Sequence, residues 1–199
     1  MPDSPTSTEA GESRRPAFEP GRERKSEIVN RKSYLDRLLA YRRLWALALV
    51  VLALDQFTKE LIIARLPFGT HSGGGYEVIP GFFHLIHVGN TGGAWSIFSG
   101  RSVPLALVGI AVLLAVFFWR RQLGLQHHFA QWCFGLFVGG SVGNIVDRLR
   151  HGHVVDFLDF HFGDYVYPTF NVADSGICVG VIAYVIWSLK QPAPPEPGA

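Results

Sequence analysis

Cysteine is scarce: the 199 residues contain only two. That count excludes a disulfide framework, and at a helix rise of about 1.5 Å per residue Cys133 and Cys178 fall at different depths of their hydrophobic segments, which disfavours even one bond. Both read as packing residues. Charge is missing from long stretches. Residues 44–54 carry none before Asp55, after which apolar character resumes at Leu61, and residues 103–119 carry none. Residues 129–146 hold only the amides Gln131 and Asn144, and residues 171–189 hold one charge, Asp174. A soluble helical bundle is excluded on this ground, because each of its helices needs a polar stripe and these segments lack one. There is no internal repeat. A nucleophile elbow and a well-placed Ser and Lys pair are also missing, Ser175 and Lys190 being separated by most of a bilayer, which excludes a serine mechanism.

Crossing about 30 Å of hydrocarbon takes roughly 20 mostly apolar residues. The sequence therefore predicts a mainly α, integral membrane protein, a four-transmembrane-helix bundle with spans at about 44–63, 103–119, 129–146 and 171–189 inside one domain, 44–190. The first 43 residues, with Pro, Ser, Glu and Arg and few large apolar groups, read as a largely disordered basic tail that becomes helical near Leu35. Its apolar segment starts too late and runs too long for a cleavable signal peptide. Residues 191–199 read as a disordered C-terminal tail. The net charge of +2 hides a strong asymmetry, since ten of the eighteen Lys and Arg residues precede Leu44. Arg120 and Arg121 lie between the second and third segments, and Lys190 follows the fourth. Under the positive-inside rule all three basic places face the cytoplasm, so both termini face in and the two longer connections face out. Within the first of these, residues 76–79 and 82–88 flank Pro80-Gly81, which predicts a small extracytoplasmic β-sheet on the membrane surface.

With that topology, every short polar cluster in the apolar chain comes to one face. These are Asp55 to Lys59, Asn90 to Trp95, Gly139-Gly140 leading into Asn144 to Arg148, Val154 to Phe157, and Phe170 to Asp174. Ionisable groups in a span cost about 2.5 to 3.5 kcal/mol each even on lenient scales, so a gathering of them marks a functional site. Peptide hydrolysis by two carboxyl groups requires one ionised to deprotonate water and one protonated to polarise the carbonyl, and close acids in a poorly solvated place separate their pKa values in this way. Asp156, a loop acid among Val154, Val155 and Phe157, and Asp174, one turn after Asn171, are the best pair. Capping explains Asp174 as readily, with Asn171 as N-cap and Asp174 as the acidic third residue. Asn144 and Asn171 are expected to donate hydrogen bonds to the acids, and Asp147 with Arg148 to lock a helix end. Asp55 and Lys59, at i and i+4, have a structural role by default. His151, His153 and His161 tempt a metal reading but lack convincing further ligands, so no metal and no cofactor is expected. A small membrane transporter or proton relay using the same carboxylates is the rival class.

Taken in order, the motifs Asp55-Gln-x-Thr-Lys59, Asn90-x-Gly-x-Ala-Trp95, Gly143-Asn-x-x-Asp-Arg148, Val154-x-Asp-Phe157 and Phe170-Asn-x-Ala-Asp174 closely resemble the bacterial lipoprotein signal peptidase family, also called signal peptidase II. The resemblance covers residues 44–189 and says nothing about the long N-terminal tail. It implies four transmembrane helices with an extracytoplasmic sheet in the cytoplasmic (inner) membrane, the active site near its outer face. It also implies an aspartic endopeptidase with Asp156 and Asp174 as catalytic acids, removing the signal peptide of a diacylglyceryl-modified prolipoprotein just before the lipidated cysteine. Asn90, Gly92 and Gly93 would meet the extended substrate, and Trp95 would anchor at the interface. Globomycin-type inhibitors are expected ligands, the lipid bilayer a partner, nucleic acid not, and the enzyme a monomer.

Overall fold

A computed structural model describes residues 39–93 and 100–191; Trp95 and most of the N-terminal tail lie outside these. Helix α1 runs Arg42–Arg65, followed by a 3-10 turn Ser72–Gly74, strands β1 (Tyr76–Ile79) and β2 (Phe83–Asn90), helix α2 (Ser102–Phe118), helix α3 (His128–His151), strands β3 (Val154–Phe162) and β4 (Tyr165–Val166), and helix α4 (Val172–Leu189).

Helix α3 is central, packed by α1, α2 and α4. The buried positions of α1 are Leu44, Ala48, Val51, Asp55, Lys59 and Ile62, spaced three and four apart. One stripe therefore begins apolar and becomes ionic toward the end that carries the sheet. The facing surface of α3 is built from Ala130, Cys133, Gly135, Gly139, Gly140, Gly143, Asn144 and Asp147. Small residues let the backbones approach: an added Cβ at Gly140 would collide with the carbonyl oxygen of Ala173 on α4, and one at Gly139 would stand 2.6 Å from that of Ala48 on α1. Away from these contacts large apolar side chains are exposed, among them Leu107, Val108, Phe117 and Phe118 on α2 and Val179, Ile182, Val185 and Ile186 on α4. So much exposed apolar surface is the mark of a protein whose solvent is lipid.

Two helices, His128–His151 and Val172–Leu189, are long and apolar enough to cross a membrane by length and composition; Ser102–Phe118 is apolar but 17 residues long. Helix α1 has the length, 24 residues, but carries Asp55, Lys59 and Glu60. Helix α3 continues past Val146 to His151, where Gly152 closes it with φ of 75°, the left-handed C-terminal stop that glycine adopts at little cost.

The sheet is antiparallel in the order β1-β2-β3-β4. Pro80-Gly81 turns β1 into β2 as expected, Gly81 having φ of 66° and the Phe82 amide donating to the Ile79 carbonyl at 3.0 Å. The segment read from sequence as a loop around Asp156 is strand instead. Four consecutive buried residues, Val154 to Phe157, removed the period of two that would have marked it. Phe170 bridges to Leu158, its carbonyl accepting from the Phe157 and Leu158 amides at 3.1 and 2.9 Å. This bridge lays the start of α4 against β3.

Candidate active site

Asp156 comes from β3 and Asp174 from the first turn of α4. The two helix-cap roles predicted for Asn171 and Asp174 are present, since Asn171 is the N-cap and its Oδ1 accepts the Asp174 amide at 2.9 Å. That bond fixes the rest of the side chain. With its oxygen spent on the cap, Asn171 turns its Nδ2 to Asp156 Oδ1 at 2.7 Å. The cap on Asp174 and the hydrogen bond to Asp156 are thus one arrangement.

Two further amides are oriented in the same way. Asn90 accepts the Gly92 amide on its Oδ1 at 2.9 Å and donates to Asp156 Oδ2 at 3.1 Å. Asn144 accepts from Lys59 Nζ at 3.0 Å and donates to Asp174 Oδ1 at 2.7 Å. In each case a group that can only donate claims the amide oxygen and leaves N–H for the carboxylate. Both acids are therefore held by donors from other elements. Asp156 is 2 % exposed. Burial and the neighbouring Asp174 charge push its pKa up to about 7, against the pull of the Asn90 and Asn171 hydrogen bonds and the Lys59 charge.

Beneath the pair lies a buried ionic group. Lys59 Nζ is 2.9 Å from Asp55 Oδ2 and 2.8 Å from Asp147 Oδ2. Asp147 also accepts the Val155 backbone amide at 3.1 Å, and Asp55 accepts that of Ala173 at 2.9 Å. Each of these acids thereby grips the residue directly before one member of the Asp156 and Asp174 pair. Gln56, which sequence reasoning gave no role, completes the group by donating to Asp147 Oδ1 at 2.9 Å. Asp147 and Arg148 hold the end of α3 through different partners. Consecutive helical residues point about 100° apart, and Arg148 instead donates to the Gly92 carbonyl at 2.8 Å and the Asn144 carbonyl at 3.1 Å.

A cavity of about 490 Å³ opens on the site, lined on its polar side by Asn90, Asn144, Arg148 and Asp174 and on its apolar side by Tyr167, Pro168, Phe170, Ile177 and Val179. Gly93 also lines it. Sequence reasoning missed the apolar wall, whose only signal is the aromatic and proline run just before Asn171. Of the two free cysteines, Cys133 is buried and Cys178 faces this cavity. His151 and His153 have ring centroids 6.0 Å apart at the end of α3, while His161 lies on β3 with Asp159. These histidines form no joint ligand set among the described residues.

The comparisons with known proteins agree with one another. A family model described as signal peptidase (SPase) II matches residues 47–190. The chain is 37% identical over 145 residues to a lipoprotein signal peptidase of Bacillus pumilus, covering 73% of this chain and 91% of that one. It is 43% identical over 136 residues to that of Symbiobacterium thermophilum, covering 68% and 86%. A solved bacterial membrane enzyme structure superposes with a TM-score of 0.66 at 32% identity, over 76% of this chain and 93% of that chain.

Proposed function

The chain belongs to the signal peptidase II family, and from that premise we propose that Asp156 and Asp174 are the dyad of an aspartic endopeptidase that cleaves a diacylglyceryl-modified prolipoprotein just before its lipidated cysteine. The observation that carries this reading is the set of three amides, Asn90, Asn144 and Asn171, whose N–H groups all face the two carboxyls. A purely structural acid pair has no need of such pointing from three separate elements.

One carboxyl, ionised, takes a proton from water; the other, protonated, donates a hydrogen bond to the scissile carbonyl oxygen. Water oxygen bonds to the carbonyl carbon, the C–N bond breaks, and a proton passes to the departing nitrogen of the lipidated cysteine. The signal peptide leaves as a carboxylic acid. Arg148 holds the Gly92 carbonyl and so fixes the Gly92-Gly93 edge along which an extended substrate would lie. The apolar wall of the cavity suits residues of a hydrophobic signal peptide. Lipid chains on the substrate cysteine keep the scissile bond at headgroup depth, which supplies the proximity that a surface site alone would lack.

In this reading four helices span the inner membrane with both termini in the cytoplasm and the sheet outside. Helix α1 crosses despite its charges because Asp55 and Lys59 face α3 and spend their charge on each other and on Asp147. Purified protein and a diacylated precursor peptide test the activity directly. Cleavage is expected with the wild type, to be lost in Asp156→Asn and Asp174→Asn. A wild-type protein that leaves the precursor intact would return the carboxylates to a proton relay.

A further inference from the structure

Outside the active site, β2 and β3 bring His84, Asp159 and His161 together. His84 is the cross-strand partner of Asp159, and His161 stands two residues beyond Asp159, on the same face of the strand. One ligand atom from each lies within 4.8 Å of those of the other two. His84 and Asp159 are 7 % and 3 % exposed, whereas His161 is half-buried and with Asp159 lines a cavity of about 420 Å³ whose other end is lined by Asn90 and Asp156.

We infer that His84, Asp159 and His161 form a transition-metal site of the zinc class on the extracytoplasmic sheet, separate from the aspartate pair. Two imidazoles and one carboxylate suit Zn2+ or Cu2+ rather than Ca2+ or Mg2+, which prefer all-oxygen sets. Nδ1 of His84 is buried without a hydrogen-bond partner among the described residues. Leaving such an atom unpaired costs about 1 to 3 kcal/mol, and a metal gives its lone pair a use. The surroundings have the form of an outer shell. Glu77 Oε1 stands 3.5 Å from His84 Nε2, the carboxylate that orients a ligating histidine through its far nitrogen. Thr169 donates to Asp159 Oδ1 at 3.4 Å. His161 Nε2 and Asp159 Oδ2 are hydrogen-bonded at 2.7 Å, and an ion binding both would replace that bond and part the two atoms to about 3.3 Å, the edge of a tetrahedron with metal–ligand bonds of about 2.0 Å. An ion here would tie β2 to β3 three residues from Asp156, at about 10 Å of strand rise. It would stiffen the strands that carry Asn90 and Asp156 while taking no part in activating water.

The test is metal binding by the full-length protein in detergent after chelator dialysis, read by the visible absorption of added Co2+ and by Zn2+ competition. Saturation at one equivalent is expected. His84→Ala and His161→Ala should weaken Co2+ binding by at least about 100-fold, and Glu77→Gln, acting through His84, by about tenfold. His151→Ala and His153→Ala should bind as the wild type does. Precursor cleavage by the metal-free His84 and His161 variants should be retained, which reports that they are folded. Should His84→Ala misfold, His161→Gln at the half-buried position decides. Absence of saturable binding in the wild type, or binding indifferent to both His84 and His161, overturns the site without touching the peptidase reading.

Discussion

The ammonium of Lys59 stands 3.0 Å from Oδ1 of Asn144 and thereby decides which end of that amide Asp174 meets. An ammonium has no acceptor, so the amide cannot flip without setting two donors against each other. Lys59 is 2 % exposed and also paired with Asp55 and Asp147. Its removal should therefore be felt twice, in stability and in chemistry. Lys59→Met is expected to cost about 3 to 5 kcal/mol of stability, the usual cost of stranding a buried charge, seen as a lowered melting temperature in detergent. Asp147→Asn should act on stability more than on turnover. Equal melting temperatures for Lys59→Met and wild type would refute the network.

Asn171 allows the cap and the chemistry to be separated. Asn171→Ser keeps an oxygen for the Asp174 amide but loses the N–H that faces Asp156. Helix α4 should stay intact, with cleavage reduced by about 10-fold to 100-fold, as expected for one lost hydrogen bond to a charged group. Asn171→Ala should lose both. Matching rates for the serine variant and the wild type would assign Asn171 to capping alone.

The pH dependence has a definite sign. Asp156 titrates at about 7 in the folded protein against 3.8 for the ordinary side chain, so between these values the folded state binds a proton that the unfolded chain does not. Stability should fall as pH rises across that window and level off above it, by up to about 4 kcal/mol when referenced to Asp156→Asn. Melting curves of the two proteins between pH 4 and pH 8, taken as a difference, measure this. Cleavage should follow a bell whose limbs belong to the two acids jointly, declining above about pH 7. A difference curve that rises with pH would contradict the raised value.

Topology is checked with reporters. Fusions after Arg121 or Lys190 should report from the cytoplasm and those near Ser72 or Gly163 from outside, because thirteen of the eighteen Lys and Arg residues lie on the cytoplasmic side of the proposed spans. An external report after Arg121 would detach the sheet and the acids from the outer face.

Much of this arrangement can be read from the chain itself. The apolar segments announce the helices, and Pro80-Gly81 announces the hairpin. Asp156 and Asp174 stand out because a carboxyl among Val, Phe and Ala needs a reason. Other features depend on registers that a linear reading does not contain. His84 meets Asp159 only because β2 pairs with β3 across an irregularity between Leu85 and Val88, and one residue of slip would turn His84 to the other face. Lys59 shows its i, i+4 partner Asp55 in the sequence but not Asp147, which reaches it by helix packing. Arg148 is adjacent to Asp147 in the sequence, but direction around the helix, which a linear reading does not show, sends one to Gly92 and the other to Lys59.

The close approach at Gly140 sets the gauge of the site. Asn144 lies one turn further along α3, and Asp174 follows Ala173, whose carbonyl oxygen the missing side chain of Gly140 admits. A methyl group there would act as a shim between α3 and α4, widening the 2.7 Å contact from Asn144 to Asp174 although it touches neither residue. If the proposed dyad is the catalytic one, turnover would be calibrated by a hydrogen atom at the helix crossing, and variants that never reach the cleft would mistune it.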